Sequence, residues 1–207
     1  MFQITSAINF MHSNYIIHRD IKPSNCLIDF DGKIVKVTDF GLSRVMNDER
    51  NIGYSWPIGT TEYCAPELLL NSKKYNYAID IWGLGITFAE LMRNGKGLFR
   101  IRNSPIEKIS RRGSDEEYNY DGGKTLMLIF GLLGTPTCSE HPHLYSLLEV
   151  YNTNNVPTTI EIGKRIIKFE KYDDNALELL MHMIELEPSD RIKTELALES
   201  PFFKNKI

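Results

Sequence analysis

The sequence has few cysteines, little net charge and no long hydrophobic run. Three cysteines among 207 residues, at positions 26, 64 and 138, show no disulfide spacing and indicate a reducing compartment. A formal net charge of −3 predicts neither direct nucleic-acid binding nor a membrane-surface footprint. Because no apolar run reaches membrane-spanning length and residues 1–5 carry no signal-peptide pattern, we expect a nuclear or cytoplasmic protein.

Hydrophobic periodicity predicts a mainly helical chain with a small β ribbon. Apolar residues at three- and four-residue spacing predict four helices, which lie at 2–12, 77–94, 124–133 and from Asp173 or Asp174 to Glu187. The second of these is apolar almost all round, as is typical of a helix inside a core. Two short apolar stretches at 26–28 and 34–37 flank the turn signal Asp31-Gly32 and predict a hairpin.

Two segments show no such periodicity. Residues 38–64 contain two glycines and a proline and read as a long loop, which in a compact domain is usually functional. Residues 95–123 carry a basic run followed by an acidic run, with glycines at both ends. We expect this second segment to be a flexible, exposed insert.

Five short motifs occur in a fixed order along the chain. Taken from the N-terminus they are His-Arg-Asp-Ile-Lys-Pro-Ser-Asn at 18–25, Asp-Phe-Gly at 39–41, Ala-Pro-Glu at 65–67, Asp-Ile-Trp-Gly-Leu-Gly at 80–85 and Asp-Arg at 190–191. In this order they resemble the C-terminal lobe of a eukaryotic protein kinase, over nearly the whole of residues 1–207. The resemblance implies that fold, with ATP and Mg²⁺ as cofactors and proteins as substrates.

The resemblance assigns the acceptor side of phosphoryl transfer to the first motif. Asp20 is implied as the base that accepts the proton of the attacking hydroxyl, and Lys22 as the cation that balances charge on the transferring phosphate. Thr60, beside Gly59, is implied to bond to both of them. The alternative is that Thr60 is only a turn residue.

The same resemblance assigns the nucleotide and metal side. Asn25 and Asp39 carry the oxygen ligands that Mg²⁺ prefers, and both are implied in cofactor and metal binding. Leu27 is implied as the floor of an adenine pocket.

Regulatory and structural roles follow by resemblance too. Arg19 is implied to bind a phosphate on the segment from Asp39 to Glu67, and Ser55 stands closest to the usual phosphosite. An ordinary exposed serine is the alternative for Ser55. The structural residues are His18, which packs the catalytic loop onto the core, Asp80 at the start of the central helix, and the buried ion pair Glu67–Arg191.

Substrate class and subgroup rest on finer likenesses. Lys22 and Gly59-Thr60 are typical of serine/threonine kinases, and residues 131–136 resemble a turn of the cyclin-dependent and mitogen-activated kinases. Residues 78–82 and 129–131 also resemble the replication-initiating, cell-division-cycle-seven type. Both subgroups imply cell-cycle control and a cyclin-like or other activating subunit. Cys64 stands where the first subgroup usually has arginine, which puts proline-directed specificity in doubt.

The parts with which this family covers ATP are not found before the first motif. No glycine precedes Gly32 and no lysine precedes Lys22, so neither a glycine-rich loop nor a strand lysine can lie there. We therefore expect a chain without the N-terminal lobe and nearly inactive alone. The main reading is a serine/threonine-protein kinase. The alternative is a catalytically inactive C-lobe pseudokinase that acts as a binding or regulatory module.

Overall fold

The computed structural model describes residues 1–46, 59–99, 115–155 and 172–204. Eight helices occur in these ranges: α1 (Phe2–Ser13), α2 (Pro66–Leu69), α3 (Ala78–Met92), α4 (Asp115–Leu133), α5 (Pro142–Asn155), α6 (Asp174–Met183), α7 (Thr194–Leu198) and α8 (Pro201–Lys204). Four short strands accompany them: β1 (Ile16–Ile17), β2 (Cys26–Ile28), β3 (Val35–Val37) and β4 (Arg44–Val45). The prediction of a mainly helical fold with little β structure is confirmed.

Helix α3 is the centre of the core. Every residue from 78 to 89 is buried, and Trp82 and Leu84 have no exposed surface. Two glycines let neighbouring elements approach this helix closely. A Cβ at Gly83 would lie 2.9 Å from the carbonyl oxygen of Ile21, and a Cβ at Gly85 only 2.7 Å from Cγ2 of Ile184. The predicted buried helix is therefore confirmed, and it packs directly against the loop that carries the first motif.

The predicted hairpin is also confirmed. Strands β2 and β3 pair antiparallel, with Cys26 opposite Val37. The Asp29 carboxylate accepts hydrogen bonds from the backbone N–H groups of Lys33 and Ile34 at 2.7 and 2.9 Å. Gly32 has a φ of +70°, a conformation that glycine adopts without steric cost.

Helix α1 connects the hairpin to the rest of the fold. It contacts β3, α3 and α7, and its buried face carries Ile4, Ile8 and Met11. The Gln3 side chain accepts from the backbone N–H of Val35 at 2.6 Å and donates to the carbonyl of Lys33 at 2.7 Å. The predicted first helix is confirmed, and its end leads through β1 into the first motif.

Helix α4 begins nine residues earlier than predicted, at Asp115 instead of residue 124. Residues 115–123, at the end of the expected insert over 95–123, are thus helical, and residues 100–114 lie outside the described ranges. The flexible, exposed insert stays a prediction. Two adjacent glycines favoured a loop in the sequence. One of them, Gly122, is buried where α4 crosses α2, and a Cβ there would lie 3.6 Å from Cδ2 of Leu69.

The region after α4 also differs from the sequence prediction. Residues 142–155 form α5, which is not among the four predicted helices, because their polar composition gives only a weak apolar stripe. The cap predicted at Asp173 is confirmed, since its carboxylate accepts from the N–H groups of Asn175 and Ala176 at 2.9 and 3.2 Å. Helix α6 ends at Met183, earlier than the predicted Glu187.

None of the described helices combines the length and apolar character needed to cross a membrane.

Candidate active site

A buried carboxylate of helix α3 anchors the backbone of the loop over residues 18–25. The side chain of Asp80, in the first turn of α3, accepts hydrogen bonds from the backbone N–H groups of His18 and Arg19, each at 2.8 Å. Its Oδ2 atom also lies 2.9 Å from Nε2 of His12 at the end of α1. Arg19 has a φ of +72°, which is unusual for a residue other than glycine and is stabilised here by these bonds.

Asp20 is the centre of a compact polar cluster and is itself 8% exposed. Its Oδ2 atom lies 2.7 Å from Nζ of Lys22 and 3.0 Å from Nδ2 of Asn25. Its Oδ1 atom accepts from both the N–H and the hydroxyl of Thr60 at 3.1 Å. The carboxylate is therefore fixed in orientation by four donor atoms from three residues.

Thr60 belongs to this cluster although it lies 40 positions after Asp20 in the sequence. Its hydroxyl accepts from Nζ of Lys22 at 2.6 Å, so one hydroxyl bridges the cation and the carboxylate. The preceding glycine makes this approach feasible, because Gly59 has a φ of +79° and a Cβ there would lie 2.9 Å from the carbonyl oxygen of Arg19. The structure thus brings Thr60 to both residues that the resemblance had implied.

Asn25 and Asp39 offer oxygen atoms of the kind that suits Mg²⁺. Asn25 is buried, and its Nδ2 donates to the backbone and the side chain of Asp20, which leaves its amide oxygen available. Asp39 is exposed, with a left-handed backbone at φ +64°, and within the described ranges its side chain accepts only a long hydrogen bond of 3.4 Å, from the N–H of Gly41. One amide oxygen and one carboxylate fit a hard, oxygen-preferring cation.

His18 connects the loop to the segment that carries Asp39. Its Nδ1 accepts from the N–H of Asp20 at 3.3 Å, and its Nε2 lies 3.0 Å from the carbonyl oxygen of Thr38. These partners assign the proton to Nε2. The ring also packs against Phe40, with centroids 5.4 Å apart. His18 is fully buried, and this position is consistent with the structural role implied for it.

Arg19 is buried but only partly satisfied. Its Nε donates to the carbonyl of Leu42 at 2.5 Å and its Nη1 to the hydroxyl of Tyr75 at 2.8 Å. Its Nη2 atom is buried without a hydrogen-bond partner in the described part of the chain. Ser55, the implied phosphosite, lies outside the described residues. Leu27, which the resemblance implies as the floor of an adenine pocket, lies on β2 with 58% of its surface exposed.

The ion pair Glu67–Arg191 joins the start of α2 to the segment after α6. Two parallel hydrogen bonds of 2.7 and 2.8 Å link the guanidinium to the carboxylate, and the side chains are 0% and 1% exposed. Three carbonyls, of Ala78, Glu185 and Leu186, accept the remaining guanidinium N–H groups at 2.8 to 3.1 Å. The cation also lies 5.0 Å from the centre of the Trp82 ring.

Sequence reasoning gave no functional weight to His12 or Tyr75. Each contacts a residue of the first motif or its anchor, across 68 and 56 positions of sequence respectively. His12 follows an apolar helical stretch, which alone predicts packing, and Tyr75 lies between Lys74 and Asn76, where the sequence gives no signal of a buried contact.

Comparison with known proteins shows the family to which this chain belongs. The family model of the protein kinase domain matches residues 1–203, so the chain belongs to the protein kinase family. The match starts at the first residue and does not divide the domain into lobes. The expected absence of an N-terminal lobe therefore stays a prediction.

The similar proteins are kinases related to the cyclin-dependent group. The chain is 36% identical over 205 residues to Cyclin-dependent kinase C-1 of Oryza sativa subsp. japonica, covering 98% of this chain and 35% of that protein. It is 35% identical over 210 residues to Probable cyclin-dependent kinase 8 of Dictyostelium discoideum, covering 99% and 52%. A crystal structure of the yeast RNA Pol II CTD kinase CTDK-1 complex superposes with a TM-score of 0.79 at 29% identity, covering 100% of this chain and 61% of that one. The chain thus spans about a third to a half of these two curated relatives.

Proposed function

We propose that the protein transfers the γ-phosphate of ATP to serine or threonine hydroxyls of protein substrates. The observation that carries the proposal is the cluster in which Lys22 and Thr60 both contact the Asp20 carboxylate. Phosphoryl transfer depends on positioning and on charge stabilisation, and such a cluster supplies both on the acceptor side.

Each residue of the cluster has a distinct task in this proposal. Asp20 orients the attacking hydroxyl and accepts its proton, and Thr60 restricts the carboxylate to the orientation seen. Lys22 places a cation that balances charge on the transferring phosphate. Asn25 and Asp39 would hold Mg²⁺, which supplies charge neutralisation at the phosphates when bound, and Leu27 would contact the adenine ring.

Partners and setting follow from the named relatives. Two of the similar proteins are named cyclin-dependent kinases, and the solved structure is that of a kinase complex. These names support a cyclin-like activating subunit and favour the cyclin-dependent subgroup over the cell-division-cycle-seven type. We therefore propose that this kinase is activated by such a subunit, lies in the nucleus or cytoplasm and acts in cell-cycle or DNA-replication control.

The test is single-turnover transfer with excess protein, labelled Mg-ATP and a mixed library of serine, threonine and tyrosine peptides. We expect transfer to serine and threonine that depends on Asp20, because the Asp20 carboxylate would accept the proton of the attacking hydroxyl. Equal labelling by the wild type and an Asp20→Asn variant would favour the inactive binding module. Labelling of tyrosine alone would contradict the substrate class.

Phosphorylation of Ser55 is proposed as the activating switch. Arg19 supports this proposal, since its buried Nη2 atom lacks a partner among the described residues and could donate to a phosphate oxygen. We expect the Ser55-phosphorylated protein to transfer phosphate faster than the unmodified one. In an Arg19→Ala variant this gain should disappear. The assay compares initial rates before and after phosphorylation, and an equal gain in wild type and variant would contradict the switch.

A further inference from the structure

A cavity of about 440 Å³ lies where the end of α1, the start of α3 and the start of α7 meet. His12 and Ser13 line it from α1, and residues 76–78 and 188–195 supply most of the other walls. None of the proposed catalytic or metal-binding residues lines it. Its volume is within the range of small-molecule sites, which is about 300–1,000 Å³.

The buried part of the lining carries no net charge. Ala78 and Ile81 are 8% and 3% exposed and contribute apolar surface. Arg191 also lines the cavity, but its charge is neutralised by Glu67 and all its guanidinium N–H groups donate to that carboxylate or to backbone carbonyls. An ionised ligand group would therefore lose its hydration here without gaining a counter-charge.

The rim of the cavity is balanced in charge as well. Lys193 and Glu195 are exposed lining residues of opposite sign, and neither forms an ion pair within the described ranges. Their charges offset each other two positions apart in the sequence. The cavity as a whole therefore favours an uncharged ligand.

Two aromatic rings form one wall. The ring centroids of His12 and Tyr77 lie 4.7 Å apart at an interplanar angle of 42°. Aromatic rings prefer offset or tilted neighbours at such distances. A planar aromatic ligand would extend this pair across the apolar surface of Ile81.

One ring nitrogen in this wall lacks a partner. Nε2 of His12 lies 2.9 Å from Oδ2 of Asp80, so in the neutral ring the proton is assigned to Nε2. Nδ1 is then an acceptor, and no described residue donates a hydrogen bond to it. A ligand with an N–H group on its aromatic ring would satisfy this nitrogen.

We infer that this cavity binds a small, uncharged heteroaromatic molecule whose ring N–H donates to Nδ1 of His12. The site itself does not depend on the proposed kinase activity. It is linked to the catalytic loop, because such a donor favours the tautomer that keeps the Nε2 proton on Asp80. The Asp80 carboxylate accepts from the backbone N–H groups of His18 and Arg19, so an occupied cavity stabilises the anchor of the loop.

Indole and benzofuran test the assignment as a pair of probes. Their fused rings have nearly the same shape, but only indole carries a ring N–H. In an NMR titration of the isotope-labelled full chain, we expect indole to bind with a dissociation constant of about 1 mM or lower. Benzofuran should bind roughly three- to tenfold more weakly, the loss that follows from one neutral hydrogen bond.

Filling the cavity locates the effect. Ser13→Trp and Ser189→Trp each place a large side chain at an exposed lining position on a different wall, and each should weaken indole binding at least about tenfold. The matched control is Ser146→Trp, at an exposed position of α5 outside this lining, which should keep the affinity. Thermal melts check that the variants are folded.

Hydrogen exchange measures the link to the catalytic loop without any phosphate transfer. We expect indole at ten times its dissociation constant to slow exchange of the His18 and Arg19 amides roughly three- to tenfold, since mass action limits the effect to about elevenfold. The capping amides of Asn175 and Ala176 serve as the reference and should keep their rates.

Three results would overturn the site: no saturable indole binding up to about 5 mM, equal affinities for indole and benzofuran, or an equal loss of affinity in Ser146→Trp. Indole binding that leaves exchange at His18 and Arg19 unchanged would overturn the link to the catalytic loop. A protein that binds indole as expected but transfers no phosphate would keep this site and lose the proposed function instead.

Discussion

Replacing Asp20 by asparagine is expected to lower the rate of phosphate transfer roughly a hundred- to ten-thousandfold, the usual contribution of a positioned general base. The amide keeps the shape of the carboxylate and can still accept from Thr60. It can neither take up a proton nor balance the Lys22 ammonium, which lies 2.7 Å from the native carboxylate. The measurement is the single-turnover rate at saturating Mg-ATP.

The control for this variant is Asp174→Asn, at an exposed position in the first turn of α6. It removes one carboxylate from the surface and should leave the rate unchanged. If Asp20→Asn keeps a rate within about threefold of the wild type, Asp20 is not the base, because even a weakly effective general base contributes about a hundredfold.

Removing the Glu67 side chain by an alanine substitution is expected to destabilise the fold by about 3–5 kcal/mol. The Arg191 guanidinium would then be left at 0% exposure with three carbonyls but no counter-charge. A buried cation without its carboxylate costs far more than the intact pair contributes. Urea denaturation followed by circular dichroism measures the change in the free energy of unfolding.

Two further variants separate the pair from simple loss of packing. Replacing Glu67 and Arg191 together by leucine and methionine should cost less than Glu67→Ala, because no charge is then left buried. Glu199→Ala breaks the exposed pair with Lys204 and should change stability by at most about 1 kcal/mol. A Glu67→Ala loss no larger than that of Glu199→Ala would contradict the role assigned to the buried pair.

Local parts of the candidate site were predictable from the sequence. Asp20, Lys22 and Asn25 lie within six positions, so their spacing alone places them on one short loop, where their side chains contact one another. The hairpin after them was equally predictable, since Asp31-Gly32 and the flanking apolar stretches encode it locally. The helix cap at Asp173 was predictable for the same reason, because a capping side chain bonds only to the N–H groups of the next two or three residues.

Other parts could not be predicted from the residues alone. The sequence misplaced the start of α4 and missed α5, because paired glycines and a polar composition gave a loop signal that packing overrides. The contacts of His12 with Asp80, of Arg19 with Tyr75 and of Tyr63 with Glu90 span 68, 56 and 27 positions. No periodicity or local spacing encodes such pairs.

The sequence by itself determined which chemical groups this protein possesses and their order along the chain. It also determined the local turns, because these depend on the conformational preferences of neighbouring residues. Only the tertiary structure decided which groups meet. Packing of the buried helix α3 places Asp80 against the catalytic loop and Glu90 against the Tyr63 hydroxyl. Such meetings depend on close contact between segments distant in sequence, and that contact exists only once the core has formed.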